Sequence, residues 1–284
     1  MKAFLKNSTF GVQLVLVLFA VVVGLALTSV VMVAFPQQIP LKWLQTIQTV
    51  LVFLLPPLVV AVCVSDAPLA FLNIRLEKRW RVVIGVVCFS VLVLPFINGL
   101  VALNEALVLP QWLAPLEQWM KTMEESAKQL TEQFLSVSTW QGLFVNLLIM
   151  AALPAIGEEL LFRGVLQRLF SEKWGAHVGI WLTAVLFSAI HLQFYGFIPR
   201  MILGAAFGYL LLWSRSIWMP ILAHFMNNAL AIVFFFLEYN GILTYNTDEI
   251  GVGQNWWMAV ACGALSLWLL FRIKSHCDKS DKNM

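Results

Sequence analysis

Glu158 and Glu159 stand side by side in an otherwise apolar stretch of the chain, and Arg163 follows Glu159 by four residues. On a helix, residues four apart share a face, so Glu159 and Arg163 can pair. Glu158 points about 100° away and has no partner on its own turn. A carboxylate left unpaired in a water-poor setting is a candidate general base. Two histidines fall in later apolar stretches. Phe187-Ser188-Ala189-Ile190-His191 ends one run in an imidazole. His224-Phe225-Met226-Asn227-Asn228 places His224 and Asn228 four apart, two polar heads on one face. Each cluster also has a plainer reading. A lone histidine in a bundle is more often a satisfied packing residue, and Glu159 with Arg163 can be a structural ion pair. Coincidence at one depth is what would raise the three above packing.

Depth follows from counting. Lys173-Trp174-Gly175 is the natural turn between two apolar runs. Glu158 lies 17 residues before Gly175 and His191 lies 16 after it. An antiparallel hairpin sets both roughly 24 Å from the turn, at ~1.5 Å per residue. His224 is nine residues past Arg215, about 13 Å along its helix. The three depths agree if the hairpin protrudes by about two turns, which the charged run Arg163, Arg168, Glu172 and Lys173 allows.

The elements that carry these residues are set by composition. Of 284 residues, 61% are hydrophobic and 12% charged. A soluble domain runs about 45–50% apolar and about 25% charged. A soluble enzyme, a nucleic-acid binder and a disordered chain are thereby excluded, and the bilayer is the expected partner. A net charge of +3 is too small to imply a polyanion. Segments free of Asp, Glu, Lys and Arg run over 7–41, 43–65, 82–104, 133–157, 174–199, 201–214, 216–237 and 250–271. A span needs about 20 apolar residues. The expected fold is an all-α, polytopic bundle of about eight transmembrane helices. The sixth is the least certain, drawn over Phe197–Trp213 with Arg200 snorkelling at its end. Continuous apolar runs exclude a β-barrel. Lys2 and Lys6 precede a first run too long for a signal peptide, which reads as a retained span. With the N-terminus inside, 14 of the 18 Lys and Arg fall on inner segments, so both termini are expected in the cytoplasm. Cys63, Cys88, Cys262 and Cys277 form no CxxC or zinc spacing. His177 reads as interfacial, His276 as solvated and Asp66 as a helix-boundary residue.

The long hydrophilic loop spaces Leu116, Trp119, Met120, Met123, Leu130 and Phe134 at helical intervals over Leu116–Leu135. It is either an amphipathic helix on the outer surface or a solvated connector. The chain divides into residues 1–139, three helices and this loop; 140–240, the motif-bearing helices; and 241–284, a last helix and basic tail.

The three motifs, Glu158-Glu159-x-x-x-Arg163, Phe187-x-x-x-His191 and His224-x-x-x-Asn228, resemble the signature of the CPBP family. These are the CAAX-protease and bacteriocin-processing (Abi) intramembrane endopeptidases. The resemblance covers about residues 140–240, and any single motif is weak. It implies that Glu158 and His191 activate the attacking water, and that His224 and Asn228 donate to the oxyanion. It implies supporting roles for Glu159 and Arg163, which fix the helix and orient Glu158, with Phe187 the aromatic partner in the second motif. Glu158, His191 and His224 also make a His₂Glu set of the zinc type. The HExxH of membrane zincins is absent, and a metal-free mechanism accounts better for Asn228, so no cofactor is favoured.

Two other readings compete. A proton-coupled transporter also buries such groups, but it predicts repeats and broken helices in two matching halves, and the polar clusters here all fall in one half. A non-catalytic immunity or partner protein on the same scaffold would need no turnover. The expected substrate is a peptide or the terminus of a membrane protein. Lys282-Asn283-Met284 is not a CAAX box, and the compact form suggests a bacterial cytoplasmic membrane. Gly204 and Gly208 form a GxxxG, more often used within a bundle than between chains, so oligomeric state is not legible.

Overall fold

The computed structural model describes residues 3–35, 39–107 and 109–281, with the side chains of Ser280 and Asp281 left aside. Lys2 and the Lys282–Met284 tail lie outside the described residues. All regular structure among the described residues is helical. We label the principal helices α1 (Phe10–Ala34), α2 (Leu41–Val64), α3 (Trp80–Glu105), α4 (Ala114–Leu135), α5 (Trp140–Trp174), α6 (Ala176–Ala189), α7 (Phe197–Ser214), α8 (Trp218–Tyr239) and α9 (Trp256–Asp281). Seven of them, all but α4 and α6, are long and apolar enough to cross a membrane. The protein is an integral, multi-pass membrane protein.

The fifth expected span is the one the structure shortens. Residues 174–199 carry no charge, yet α6 stops at Ala189 after 14 residues. At about 1.5 Å per residue it reaches only ~21 Å, against a hydrocarbon core of about 30 Å. The doubtful sixth span is sound, since α7 runs over all of Phe197–Ser214. The segment between α6 and α7 is non-helical, and Leu192 there takes a left-handed φ of 53°. A count of charges cannot see this break, because residues 190–196 are uncharged.

Burial identifies the central helices. The apolar windows of α5 and α7 are 50% and 56% buried, against 17% for α1 and for the last span. Two apolar cores flank this centre. One joins α1 and α2 to the later part of α5 through Val17, Val60, Leu161, Val165 and Leu169. The other joins α3 and α9 to α7 and α8 through Val86, Phe89, Phe207, Leu210 and Ile273. Outward faces such as Val15, Phe19, Val22, Trp257 and Trp268 remain exposed, as lipid contact requires.

Three helical segments are wound as wider π-turns, Thr49–Leu54, Leu147–Ala152 and Leu160–Leu166. The first two precede Pro56-Pro57 and Pro154, whose missing N–H groups and ring clashes interrupt the i→i−4 ladder. The third begins directly after Glu159 and holds Arg163. α5 and α6 meet at Gly175, whose φ of +88° makes the sharp reversal. That is the turn from which the depths were counted.

The hydrophilic loop is a 22-residue helix, α4. Phe134 and Leu135 are buried at its end, while the Trp119 ring meets that of Phe194, tilted by 57° at a centroid distance of 5.3 Å. It therefore lies across the non-helical α6–α7 segment and is not a loose connector.

Candidate active site

The site is built outward from Glu159, whose side chain is fully buried. Its Oε1 accepts from Arg163 Nη1 at 2.9 Å and from His224 Nδ1 at 2.8 Å. One carboxylate oxygen thus ties α5 to itself and to α8. Glu159 therefore anchors His224, a contact beyond the fixing of the helix and orienting of Glu158 that the resemblance implies. The other oxygen, Oε2, is buried with no partner among the described residues.

Arg163, 1% exposed, is held on every side. Its Nη2 donates to the Gly204 carbonyl at 3.1 Å. Its guanidinium lies 4.5 Å over the Phe187 ring and 5.7 Å from Phe207. One turn along α5, Gln167 Nε2 donates to the Gly208 carbonyl at 3.1 Å. The GxxxG of α7 is therefore a docking strip for α5. A Cβ on Gly204 would stand 3.2 Å from Arg163 Nη2, and one on Gly208 only 2.7 Å from Gln167 Oε1. Polar contacts between membrane helices are worth about 0.6–2 kcal/mol each, so this strip fixes α5 against α7 by several small terms.

His224 is buried, stacked on Phe207 at 5.6 Å and 26°, and edge-on to Phe187 at 5.8 Å and 89°. Because Nδ1 donates to Glu159, the ring is oriented and Nε2 is left for chemistry. Nε2 stands 3.9 Å from Glu158 Oε2, too long for a hydrogen bond and close enough for charge coupling. Glu158, partnerless on its own helix as the sequence implied, meets His224 across the α5–α8 interface. Its side chain keeps 14% exposure where that of Glu159 has none, so Glu158 faces the open side of the cluster.

His191 follows the end of α6. Its Nδ1–H donates to the Phe187 carbonyl at 2.8 Å, and its ring meets the Phe187 ring at 5.1 Å. That bond leaves Nε2 unprotonated in the neutral ring. Phe187 thus touches Arg163, His191 and His224, and is the common wall of the site. The segment after His191 is pinned from three helices. Ser188 Oγ donates to the Phe197 carbonyl at 2.6 Å, and Asn104 Nδ2 donates to the Phe194 carbonyl at 2.8 Å. Arg200 donates to the side chain and the carbonyl of Gln193. Arg200 was expected to reach for the membrane surface; it is instead engaged by two acceptors of Gln193, seven residues earlier in the non-helical segment. Non-helical backbone at membrane depth persists only where protein buries it or it lines a wet cavity.

Asn228 lies one turn beyond His224 on α8, half-buried. Its Oδ1 accepts from Asn227 Nδ2 at 3.4 Å, which leaves its own Nδ2 unengaged by that contact. Asn228 makes no hydrogen bond to the Glu159 cluster among the described residues. No three His, Cys, Asp or Glu side chains among the described residues form a group able to hold a metal ion. The four cysteines are free thiols.

Several residues of the site had no signal in the sequence. Phe207 and Gly204 reach the cluster from α7, Gln167 supports it from α5 and Asn104 holds the segment after His191 from α3, and only the GxxxG spacing hinted at one of them. Outside the site, His177 Nδ1 meets the Tyr209 hydroxyl at 2.8 Å. Asp66 accepts from Lys6 and from the Ala3 N–H, which ties the N-terminal segment to the end of α2.

Comparison with known proteins bears on this segment. Residues 140–230 match the family model described as type II CAAX prenyl endopeptidase Rce1-like. The chain is also 30% identical over 88 residues to the uncharacterized protein YpbD of Bacillus subtilis (strain 168). That match takes in 30% of this chain and 42% of YpbD, so the likeness covers less than half of the relative's length. No solved structure matches significantly. The matched region contains Glu158, Glu159, Arg163, His191, His224 and Asn228, and over residues 140–230 the chain is similar to the Rce1-like type II CAAX prenyl endopeptidases.

Proposed function

We propose that the protein is an intramembrane endopeptidase that hydrolyses a peptide bond of a membrane-bound peptide or membrane-protein terminus without a metal ion. The observation that carries this reading is the anchoring of His224. Its Nδ1 is committed to the buried Glu159, and its Nε2 faces Glu158 at 3.9 Å. A carboxylate base and an imidazole nitrogen thus address one small volume inside the bundle.

Glu158 and the unprotonated Nε2 of His191 hold the water. Glu158 takes a proton from it as the oxygen attacks the scissile carbonyl. The carbonyl electron pair moves to oxygen. The resulting oxyanion accepts from His224 Nε2–H and Asn228 Nδ2–H. Nδ1 being committed to Glu159, Nε2 donates when the ring carries both protons. Collapse of the intermediate re-forms the carbonyl and breaks the C–N bond. The proton on Glu158 passes to the leaving nitrogen. Oxyanion donors in such sites are worth about 2.7–4 kcal/mol each. Arg163 offsets the charge of Glu159 and holds α5 on α7.

The excess of Lys and Arg on the inner segments favours cytoplasmic termini in this reading, in a bacterial cytoplasmic membrane. The test is cleavage of membrane-tethered peptides by the reconstituted protein in ¹⁸O-water, with and without a chelator. The expected result is one ¹⁸O in the new carboxylate and a rate indifferent to the chelator. Loss of cleavage on chelation and its return with zinc would overturn the metal-free step and make His191 and His224 ligands.

A further inference from the structure

The catalytic face of α8 does not end at Asn228. His224, Asn228, Ala231, Phe235 and Glu238 follow one another at alternating spacings of four and three, so they share one face. Beyond Asn228 this face borders a cavity of about 410 Å³. Leu94, Pro95 and Leu135 form one wall, and Ala231, Phe234 and Phe235 the other. Ala231 is exposed although it sits in the middle of a spanning helix, so the cavity begins one turn past Asn228.

The far end of the cavity is acidic. Glu238 and Asp248 both line it. Glu238 is fixed, because its Oε1 accepts from the N–H and the hydroxyl of Thr247 at 2.8 and 2.7 Å. The segment that carries Asp248 is held by Asn98, whose Nδ2 donates to the Thr247 and Ile250 carbonyls. Burial, and then the neighbouring Glu238, push the Asp248 carboxyl up from its ordinary value, while Lys128 of α4 draws it down. Two carboxylates at the end of an apolar trough repel a lipid phosphate and attract a cation. That charge complementarity selects a peptide over a phospholipid chain.

We propose that this cavity is the substrate groove of the peptidase site, and that it takes an apolar peptide segment ending in a basic side chain held between Glu238 and Asp248. The proposal rests on the peptidase reading given above. It also fixes a spacing. Glu238 lies 14 residues beyond His224 on one helix, about 21 Å at ~1.5 Å per residue. An extended peptide covers about 3.3 Å per residue, so the basic residue lies about six positions from the scissile bond.

The probe is a set of membrane-tethered Leu/Ala peptides, each with one lysine at a different position and a photo-reactive leucine beside it. The full-length protein in vesicles is assayed for cleavage, and Glu158→Ala is assayed for cross-linking. The expected result is at least tenfold faster cleavage with lysine about six residues from the bond than with norleucine there. That preference, read as the ratio of the lysine to the norleucine rate, disappears in Glu238→Gln/Asp248→Asn. Ala231→Phe, which fills the trough, slows every peptide and supplies the answer if the double variant does not fold. Cleavage with no charge preference, or with a preference the double variant keeps, overturns the proposal. Absence of cleavage together with lysine-dependent cross-linking to α3 or α8 upholds the groove and overturns the peptidase reading. Cross-linking that ignores the peptide's charge, or that labels only phospholipid, overturns the groove itself.

Discussion

Glu158 and Glu159 are neighbours with opposite duties. Glu159 is sealed in by Arg163 and His224, while Glu158 keeps an open side. Removing Glu159 strands the Arg163 guanidinium in the bundle. Breaking a buried pair this way costs roughly 3–5 kcal/mol, so Glu159→Ala is expected to lower the melting temperature markedly. Glu158→Ala is expected to leave it almost unchanged, and thermal unfolding of the two variants in one detergent decides the matter. Equal losses would show that Glu158 is also structural. The adjacency of the carboxylates and the Glu159–Arg163 spacing were legible in the sequence. The Glu159–His224 bond was not, since it joins residues 65 apart and depends on how α5 and α8 cross.

At the scale of elements, the packing of α5 on α7 and the break after α6 decide the site. Gly204 and Gly208 admit Arg163 and Gln167 to the α7 backbone. A side chain at Gly208 meets Gln167 Oε1 at once. Gly208→Leu is therefore expected to lower the melting temperature by an amount independent of protein concentration, with the oligomeric mass unchanged. A shift in mass would place the GxxxG between chains instead. The break after α6 is held by Asn104 from α3. Asn104→Ala is expected to cut the turnover rate about tenfold to 100-fold, as small misplacements of catalytic groups do, with little change in melting temperature. Unchanged turnover would free that segment from any part in positioning His191. Uncharged runs marked the other spans correctly because lipid excludes charge from their whole length. They failed at α6 because a helix may end at membrane depth where other helices satisfy its backbone.

Over the whole molecule, the outer helices serve as walls for the centre. α1 and α2 brace one flank of α5, and α3 and α9 brace α7 and α8. The family model matches residues 140–230, while α3 and α4 also line the trough beside α8. The N-terminal segment is clipped to the end of α2 through Asp66, whose carboxyl is held below its ordinary value of 3.8 first by the Lys6 hydrogen bond and then by the Ala3 N–H. A depressed folded value stabilises the clip above that pH, and the contribution fades as pH falls through the lower folded value. The protection of residues 3–8 against hydrogen exchange, taken relative to the intrinsic rate at each pH, is therefore expected to be high at neutral pH and to fall in strong acid, and Lys6→Ala is expected to lower it at neutral pH. Exchange insensitive to both changes would contradict the clip.

The central claim is that Glu158 drives peptide hydrolysis inside this bundle. The most direct measurement is single-turnover cleavage of one tethered peptide by the wild type and by Glu158→Gln in the same vesicles, with folding verified by thermal unfolding. Loss of a positioned base removes about 10²–10⁴-fold in rate, and a loss in that range at unchanged melting temperature is the predicted result. Cleavage by Glu158→Gln within a few fold of the wild type would contradict the account.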